Sequence, residues 1–293
     1  MDVAHEINSG NKPQVGFWKT TRFDLPLQYP QVMGILNVTP DSFSSSNPID
    51  STSSALALAE KLLQEGADIL DVGGESTRPG AVPLTDEQEW QRIEPVLREV
   101  VSWQVPVSVD TYHPVNMQRS LDLGVDIIND IWALRQENAI DIVSKYDCGI
   151  CLMHMHGSPA TMQMTPMKDE SIKPVLDFFQ EQTRSVQSSG VHPSRIVVDP
   201  GIGFGKTVNQ NFDILQRQHL LLGLGFPVMV GWSRKSSLGH ITELGVDQRL
   251  IPSIAAAVMA VERGARIIRV HDVAQTVSAM TVWKAAPEFI NHT

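Results

Sequence analysis

Short apolar runs rich in β-branched residues recur along the chain from residue 32 onward. Each run is bounded by glycine, proline or a polar residue, and an amphipathic stretch follows it. Runs of this length and composition are typical of parallel strands that are buried on both faces. The pattern predicts eight strands, at Val32–Val38, Ile69–Gly73, Pro106–Asp110, Asp126–Asp130, Gly149–His154, Arg195–Asp199, Pro227–Gly231 and Arg266–Val270.

The stretches between these runs carry apolar residues at helical spacing. Several of them end just before a glycine, as expected of helix C-termini, at Gly66, Gly124, Gly190 and Gly264. They predict helices at Ser54–Glu65, Asp86–Trp103, Val115–Leu123, Asn138–Lys145, Lys173–Ser188, Asn209–Leu221, Asp247–Glu262 and Ala274–Ala285.

Strict alternation of strand and helix predicts an α/β fold with a parallel sheet and right-handed crossovers. Eight such units within a chain of 293 residues favour a closed (β/α)8 barrel, a TIM barrel, over an open doubly wound sheet. We predict one barrel domain over residues 31–288. Residues 1–30 are predicted to form a short N-terminal extension that contains a hairpin.

Composition excludes several classes of function. The net charge of −10 and the absence of a basic run make nucleic acid and anionic membranes poor partners. An anionic small molecule would need a local positive site. Two cysteines, Cys148 and Cys151, rule out a disulfide framework, and no signal peptide or membrane span is predicted. The expected location is therefore the cytoplasm.

Polar residues stand at the end of nearly every predicted strand, where the active sites of such barrels lie. A single polar strand end usually caps the next helix, but a whole mouth of them indicates a ligand site or a dense internal network. Carboxylates and an amide at three strand ends could recognise a flat amino-pyrimidinone heterocycle or hold a metal. These three residues are Asp110, Asn129 and Asp199.

The last predicted strand carries two residues of particular interest. Arg269 and His271 are two positions apart, so they share one face of the strand, and a helix begins near Asp272. An arginine, a histidine and a helix N-terminus together suit an anion. The alternative is an Arg269 that pairs with a neighbouring carboxylate. Of the adjacent Arg234 and Lys235, at most one can point into the mouth.

Three other motifs are incomplete. The segment Gly201–Thr207 resembles a P-loop, but that pattern needs glycine where Pro200 stands, and a dinucleotide fingerprint needs glycine at Lys206. Its glycines instead predict a tight loop that approaches a ligand. Cys148 and Cys151 face opposite sides of a strand and are interpreted as packing residues. A zinc-hydrolase interpretation of His154 and His156 lacks the further ligands it requires.

Taken together, the strand-end motifs strongly resemble those of the dihydropteroate synthase family, a group of pterin-binding TIM barrels. The resemblance runs in order from about residue 32 to 285. Its most specific part is Glu75-Ser-Thr-Arg-Pro-Gly80. The other matching segments are Gly34–Phe43, Asp71-Val-Gly-Gly74 directly before Glu75, Asp110-Thr, Asn129-Asp-Ile, Leu152-Met-His-Met, Asp199–Lys206, Ser233-Arg-Lys-Ser236 and Arg269-Val-His-Asp272.

The resemblance implies condensation of a dihydropterin-CH₂-diphosphate with p-aminobenzoate, which gives dihydropteroate and pyrophosphate through an SN1-like step. It implies Mg²⁺ as cofactor, sulfonamides as inhibitors and a homodimer. It assigns pterin recognition to Asp110, Asn129, Met153, Asp199 and Lys235. It assigns diphosphate binding to Arg269 and His271 with Asn37 as the Mg²⁺ ligand, and the p-aminobenzoate side to Thr77, Arg78, Pro79, Phe204 and Ser236.

One departure from the family pattern lies in the loop after the first strand. The family usually continues Asp-Ser-Phe-Ser with Asp-Gly-Gly, whereas Ser44 is followed here by Ser45–Pro48. Two further hypotheses stay open. One is a related barrel that binds methyl-tetrahydrofolate and passes the methyl group to a corrinoid protein, against which the Thr77-Arg78 and Ser233-Arg-Lys segments argue. The other is a non-catalytic paralogue that binds pterin, which only the altered loop supports.

Overall fold

A closed barrel of eight parallel strands forms the centre of the computed structural model, which describes residues 16–38, 48–76, 83–157, 162, 166–168 and 170–290. The barrel closes in the order β10-β3-β4-β5-β6-β7-β8-β9. Its strands are β3 Gln31–Asn37, β4 Ile69–Gly73, β5 Val107–Asp110, β6 Ile127–Asp130, β7 Gly149–Met153, β8 Ile196–Asp199, β9 Val228–Val230 and β10 Ala265–Val270. All eight predicted strands are confirmed, as is the TIM-barrel fold.

Helices surround this barrel. They are α1 Pro48–Gln64, α2 Asp86–Val100, α3 Pro114–Leu123, α4 Ala139–Val143, α5 Ile172–Ser188, α6 Val208–Arg217, α7 Ser236–Thr242, α8 Leu250–Glu262 and α9 Val273–Ile290. Short 3₁₀ turns occupy Pro193–Arg195, Gln218–Leu224 and Val246–Gln248. Each glycine predicted to follow a helix, at 66, 124, 190 and 264, has a positive φ.

The helix predictions need two corrections. The sequence pattern missed α7, because its seven residues span only two turns and carry few apolar positions. The predicted helix Asn209–Leu221 is α-helical only to Arg217 and continues as a 3₁₀ turn. Among the described residues, no helix combines the length and the apolar character needed to cross a membrane.

An N-terminal hairpin closes the end of the barrel opposite to the strand C-termini. Its strands, β1 Phe17–Lys19 and β2 Asp24–Pro26, pair antiparallel. The buried Trp18 packs with the inward-facing residues of the barrel and donates its indole N–H to the Arg195 carbonyl oxygen at 2.9 Å. The predicted hairpin is therefore present, and its aromatic side chain forms the floor of the barrel.

Candidate active site

Strand pairing brings three predicted polar residues, Asn37, Asp110 and Asn129, to one level of the mouth. Asn37 of β3 lies beside Gly73 of β4, Gly73 beside Asp110 of β5, and Asp110 beside Asn129 of β6. Across the mouth, Met153 of β7 is paired with Asp199 of β8. The register of a parallel barrel therefore turns residues that are far apart in sequence into one ring.

Arg269 reaches from β10 into this ring. Its Nε donates to the Asp71 carboxylate at 2.6 Å, and its Nη2 donates to Asp110 at 2.6 Å. Asn129 donates to the same Asp71 carboxylate at 3.3 Å. Arg269 thus pairs with neighbouring carboxylates, the alternative that the sequence left open. Burial raises the pKa of Asp110 to about 7, although the charge of Arg269 acts to lower it.

Lys235 forms the opposite side of the mouth. Its Nζ lies 4.5 Å from the centre of the Phe204 ring, which is a cation–π distance. Burial lowers the pKa of Lys235 to about 8, against the attraction of Asp199. Burial also raises the pKa of Asp199, whose carboxylate accepts from the Gly201 N–H at 2.7 Å. Lys235 and Asp199 are therefore a cation and an acid facing one space.

Arg234 points elsewhere, as the sequence analysis predicted for one member of this adjacent pair. Its guanidinium makes two hydrogen bonds to Asp272, at 3.1 and 2.6 Å. The side chain is consequently held against the start of α9. Only Lys235 of these two cations interacts with Phe204 in the mouth.

A small apolar cluster lines the mouth above the barrel core. It contains Met153 and Phe204 together with Ile131, Met155 and Met162, and Tyr112 and Trp132 pack against it. Its members are buried although they lie at loop and strand ends. An apolar lining beside a few placed polar groups is the usual make-up of a small-molecule site. Ile131 and Trp132 were not among the predicted site residues.

The loop after β8 is shaped by glycines, as predicted. Gly201, Gly203 and Gly205 all have positive φ, and a Cβ on Gly201 would lie 2.0 Å from the His154 carbonyl oxygen. Lys206, which the sequence analysis missed as a site residue, secures this loop. Its buried Nζ donates to three backbone carbonyls, those of His154, Gly201 and Phe204, at 2.9–3.2 Å. Burial lowers its pKa to about 7.

His271 is oriented by the loop after β9. Its Nδ1 lies 3.0 Å from the Ser233 hydroxyl oxygen, and its backbone N–H donates to the same oxygen at 3.2 Å. Helix α9 begins at Val273, two residues further on. Ser236 is the first residue of α7 and directly follows Lys235. Both predicted residues therefore lie beside the mouth.

Asn37 offers an amide oxygen at the strand end where Mg²⁺ is expected. Its Oδ1 would lie 3.5 Å, an ordinary contact distance, from a Cβ at Gly73, and the glycine has no side chain to cover this oxygen. Within the described part of the chain, no three His, Cys, Asp or Glu residues form a metal cluster. Mg²⁺ commonly takes one or two protein oxygens and completes its shell with water and substrate phosphates. One amide oxygen beside an open position fits that mode.

Three predicted residues, Thr77, Arg78 and Pro79, lie outside the described residues, as does the unusual segment 44–47. Glu75, which precedes segment 77–82, contacts Leu84, which follows it. This carboxylate accepts from the Leu84 N–H at 3.2 Å and from the Tyr112 hydroxyl at 2.9 Å. Glu75 begins the Glu75–Gly80 segment of the family resemblance, and its position in the sequence does not indicate these long-range contacts.

The cysteines and His154 of the incomplete motifs pack against apolar or aromatic residues. Cys148 belongs to the outer core and Cys151 to the barrel interior, which confirms that they face opposite sides. Burial raises the pKa of Cys148 to about 11. His154 packs edge-on against Phe178 with ring centres 5.0 Å apart, and burial lowers its pKa to about 2.

Comparison with known proteins gives a consistent result. Residues 33–271 match the family described as "Pterin binding enzyme". The chain is 46% identical to dihydropteroate synthase of Neisseria meningitidis serogroup B, over 92% of this chain and 96% of that one.

Two solved structures are also similar. The Xanthomonas albilineans dihydropteroate synthase with 4-aminobenzoic acid is 41% identical, with a TM-score of 0.87 over 92% of this chain and 98% of that one. The Burkholderia cenocepacia dihydropteroate synthase complexed with 7,8-dihydropteroate is 40% identical, with a TM-score of 0.85 over 95% and 99%.

Proposed function

Because the chain belongs to the dihydropteroate synthases of the pterin-binding enzyme family, we propose that it condenses dihydropterin-6-ylmethyl diphosphate with p-aminobenzoate. The products are 7,8-dihydropteroate and pyrophosphate, and the reaction serves folate synthesis. The observation that carries this proposal is the ring of polar groups beside the apolar cluster at the barrel mouth.

The pterin lies against Met153 and is recognised by four polar side chains in this proposal. Asp110, Asn129 and Asp199 supply oxygen acceptors for ring N–H and amino groups. Lys235 supplies a donor for a ring oxygen or nitrogen. The support is geometric, since these groups surround one space in which burial strengthens each hydrogen bond.

The diphosphate is held by Arg269, His271 and the N-terminus of α9, which together offer charge and N–H donors. Arg269 must exchange its Asp110 contact for phosphate oxygens when substrate enters. Asn37 would hold Mg²⁺ at the same end. The ion, when bound, would neutralise charge on the leaving diphosphate.

The p-aminobenzoate side is assigned to Phe204 and Ser236 together with Thr77, Arg78 and Pro79. Phe204 already lies under Lys235, so one aromatic ring adjoins both substrate positions. The Ser236 hydroxyl stands at the start of α7, next to Lys235. Arg78 would supply a cation for the benzoate carboxylate.

The chemistry needs no covalent enzyme intermediate. The C–O bond between the pterin methylene and the diphosphate breaks, and its electron pair leaves with pyrophosphate. The electron-rich pterin delocalises the resulting cation. The arylamine nitrogen then forms the new C–N bond and gives up one proton to solvent. Asp110, with a pKa of about 7, and Arg269 hold the reactants in line and stabilise the developing charge.

The test is a condensation assay that monitors pyrophosphate release. Release is expected only when pterin diphosphate, p-aminobenzoate and Mg²⁺ are all present, and a sulfonamide should compete with p-aminobenzoate because it mimics that substrate. Pterin binding without condensation would instead support the non-catalytic paralogue. Tight binding of methyl-tetrahydrofolate would support the methyl-transfer hypothesis.

The homodimer, the cytoplasmic location and the domain boundary at residue 30 remain predictions. A homodimer through the last helices is supported by exposed apolar side chains, Ile251 of α8 at 79% and Val282 of α9 at 70%. Sedimentation equilibrium tests this homodimer.

The cytoplasmic location is consistent with two free, buried cysteines, Cys148 and Cys151. The division at residue 30 is tested by removing residues 1–30 and measuring the melting temperature.

A further inference from the structure

A carboxylate that no predicted site contained lies beneath the mouth. Asp71 is the central residue of β4, all five residues of which are buried. Its side chain has no exposed surface, whereas the Asp110 side chain is 16% exposed. A buried carboxylate is costly unless hydrogen-bonded, so its partners must be built into the fold. Those partners are Arg269 and Asn129, two residues assigned to substrate.

The contact with Asn129 fixes the direction of an amide group. An ionised carboxylate only accepts hydrogen bonds, so Asn129 must turn its NH₂ group toward Asp71. The NH₂ nitrogen lies 3.3 and 3.5 Å from the two carboxylate oxygens. The amide oxygen of Asn129 is consequently turned away from Asp71. Without this carboxylate, either end of the amide could take that place.

The contact with Arg269 fixes one edge of a guanidinium group. Nε is held by the fully buried Asp71, and Nη2 is held by the partly exposed Asp110. Only the second contact lies where a ligand can compete for it. Asp71 therefore keeps the guanidinium in place while Nη2 changes partner, which saves the entropy of ordering a long side chain on binding.

We propose that Asp71 is a positioning residue, which presents the Asn129 amide oxygen as an acceptor and anchors Arg269 through Nε. This inference rests on the proposed function, because it assigns those two residues to the pterin diphosphate. Asp71 itself contacts no substrate. It sets the donor and acceptor pattern that the substrate meets.

A matched control lies at the other end of the barrel. Asp126 is also a carboxylate with a fully buried side chain, and it also pairs with an arginine, Arg22, at 2.6 Å. It lies on the hairpin side, away from the mouth. Asp126→Asn therefore removes the same charge from a similar environment without touching Asn129 or Arg269.

The experiment compares Asp71→Asn with Asp126→Asn in the full chain. For Asp71→Asn, we expect the KM for the pterin diphosphate to rise about tenfold or more, since a charge-assisted hydrogen bond and an amide orientation are lost. The KM for p-aminobenzoate should stay within about twofold. Asp126→Asn should leave both KM values unchanged. Equal rises in both KM values, or an unchanged pterin KM in Asp71→Asn, would overturn the proposal.

Two further measurements keep the test independent of turnover and of variant folding. Calorimetric binding of 6-hydroxymethyl-dihydropterin to Asp71→Asn should weaken even if the condensation assay gives no product, which separates this proposal from the proposed function. In the unaltered chain, NMR of arginine side chains should show a slowly exchanging Nε–H for Arg269, assigned through Arg269→Lys. The slow exchange of the Arg269 Nε–H should persist when pterin diphosphate is added. A rapidly exchanging Nε–H would contradict the anchoring role.

Discussion

Each end of the barrel carries an arginine joined to a buried carboxylate, and the two ends differ in what surrounds that pair. At the hairpin end, Arg22 binds Asp126 through Nε at 2.9 Å and Nη2 at 2.6 Å. It also donates to the backbone carbonyls of Val101 and Val105. Asp126 accepts from the Val107 N–H as well. The hydrogen bonds that Arg22 donates therefore tie the hairpin to the barrel.

At the mouth, the corresponding pairing is shared and adjustable. Arg269 divides its guanidinium between Asp71 and Asp110, and Lys235 faces Asp199 nearby. Burial moves the pKa of Asp110 to about 7 and that of Lys235 to about 8, so both groups titrate near neutrality. The same residue types thus stabilise the fold at one end and are poised for ligand exchange at the other.

The largest expected effect is on activity, for Lys235→Ala. Loss of this half-buried cation removes a donor to the pterin, and kcat/KM should fall about a thousandfold, or about 4 kcal/mol of transition-state stabilisation. The melting temperature should change little, because burial already disfavours the charged form of Lys235, and Asp199 keeps its hydrogen bond from the Gly201 N–H. Steady-state kinetics and thermal unfolding of the same preparation check both points. A large loss of stability would make Lys235 a structural residue.

Arg22→Met should have the opposite profile. It leaves Asp126 without its cation. Breaking a buried ion pair costs about 3–5 kcal/mol. We expect about 3 kcal/mol here, because the Arg22 side chain is 30% exposed. The melting temperature should fall by about 6 °C or more. Both KM values should stay unchanged at a temperature where the variant is folded. A rise in the pterin KM would show that the two ends of the barrel are coupled.

The sequence predicted the barrel and most of the mouth for one physical reason. Parallel strands alternate with helices at a fixed rhythm, and their carboxyl ends must meet, so Asp110, Asn129 and Asp199 could be placed without coordinates. Long-range pairing could not be read in this way. Asp71 sits inside an apolar strand, and nothing in its neighbourhood along the chain shows that Arg269, 198 residues away, is its partner.

Lys206 escaped prediction for a related reason. Three backbone carbonyls surround its ammonium only because the loop after β8 turns back on the end of β7. Backbone carbonyls carry no sequence signature. Helix α7 was missed because two turns give too few apolar positions to establish a helical period.

The pH dependence should separate catalysis from stability at the mouth. Asp110 is surrounded by Arg269, Asp71, Glu89 and Asp130, and it is protonated below about pH 7. It then loses acceptor strength, and kcat/KM for the pterin diphosphate should fall about tenfold per unit below that pH. Above about pH 8, loss of the Lys235 proton should lower kcat/KM again.

Below about pH 7, the free energy of unfolding should change with pH in the opposite direction to kcat/KM. The folded pKa of Asp110 lies above its ordinary value of 3.8, so the folded chain binds more protons than the unfolded chain between about pH 4 and 7. The contribution of this group to the free energy of unfolding therefore decreases as pH rises through that window, while activity increases. Asp110→Asn should reduce the loss of stability between about pH 4 and 7, measured by denaturant titration. An unchanged loss would point to Asp130, whose pKa burial also raises to about 7.

The smallest effect is expected for Arg234→Gln, although Arg234 is adjacent to Lys235, where the largest effect is expected. The Arg234 side chain is 36% exposed, and its two hydrogen bonds to Asp272 lie at the rim of the barrel. Its backbone is held independently, because its N–H donates to Ser253 Oγ and its carbonyl accepts from Arg249. The exchange should cost less than about 1 kcal/mol, as for other partly exposed pairs. Both KM values should stay within about twofold. Arg234→Gln could instead weaken pterin binding as strongly as Lys235→Ala. That result would show that the ligand responds to the total positive charge at the mouth and not to the single ammonium of Lys235.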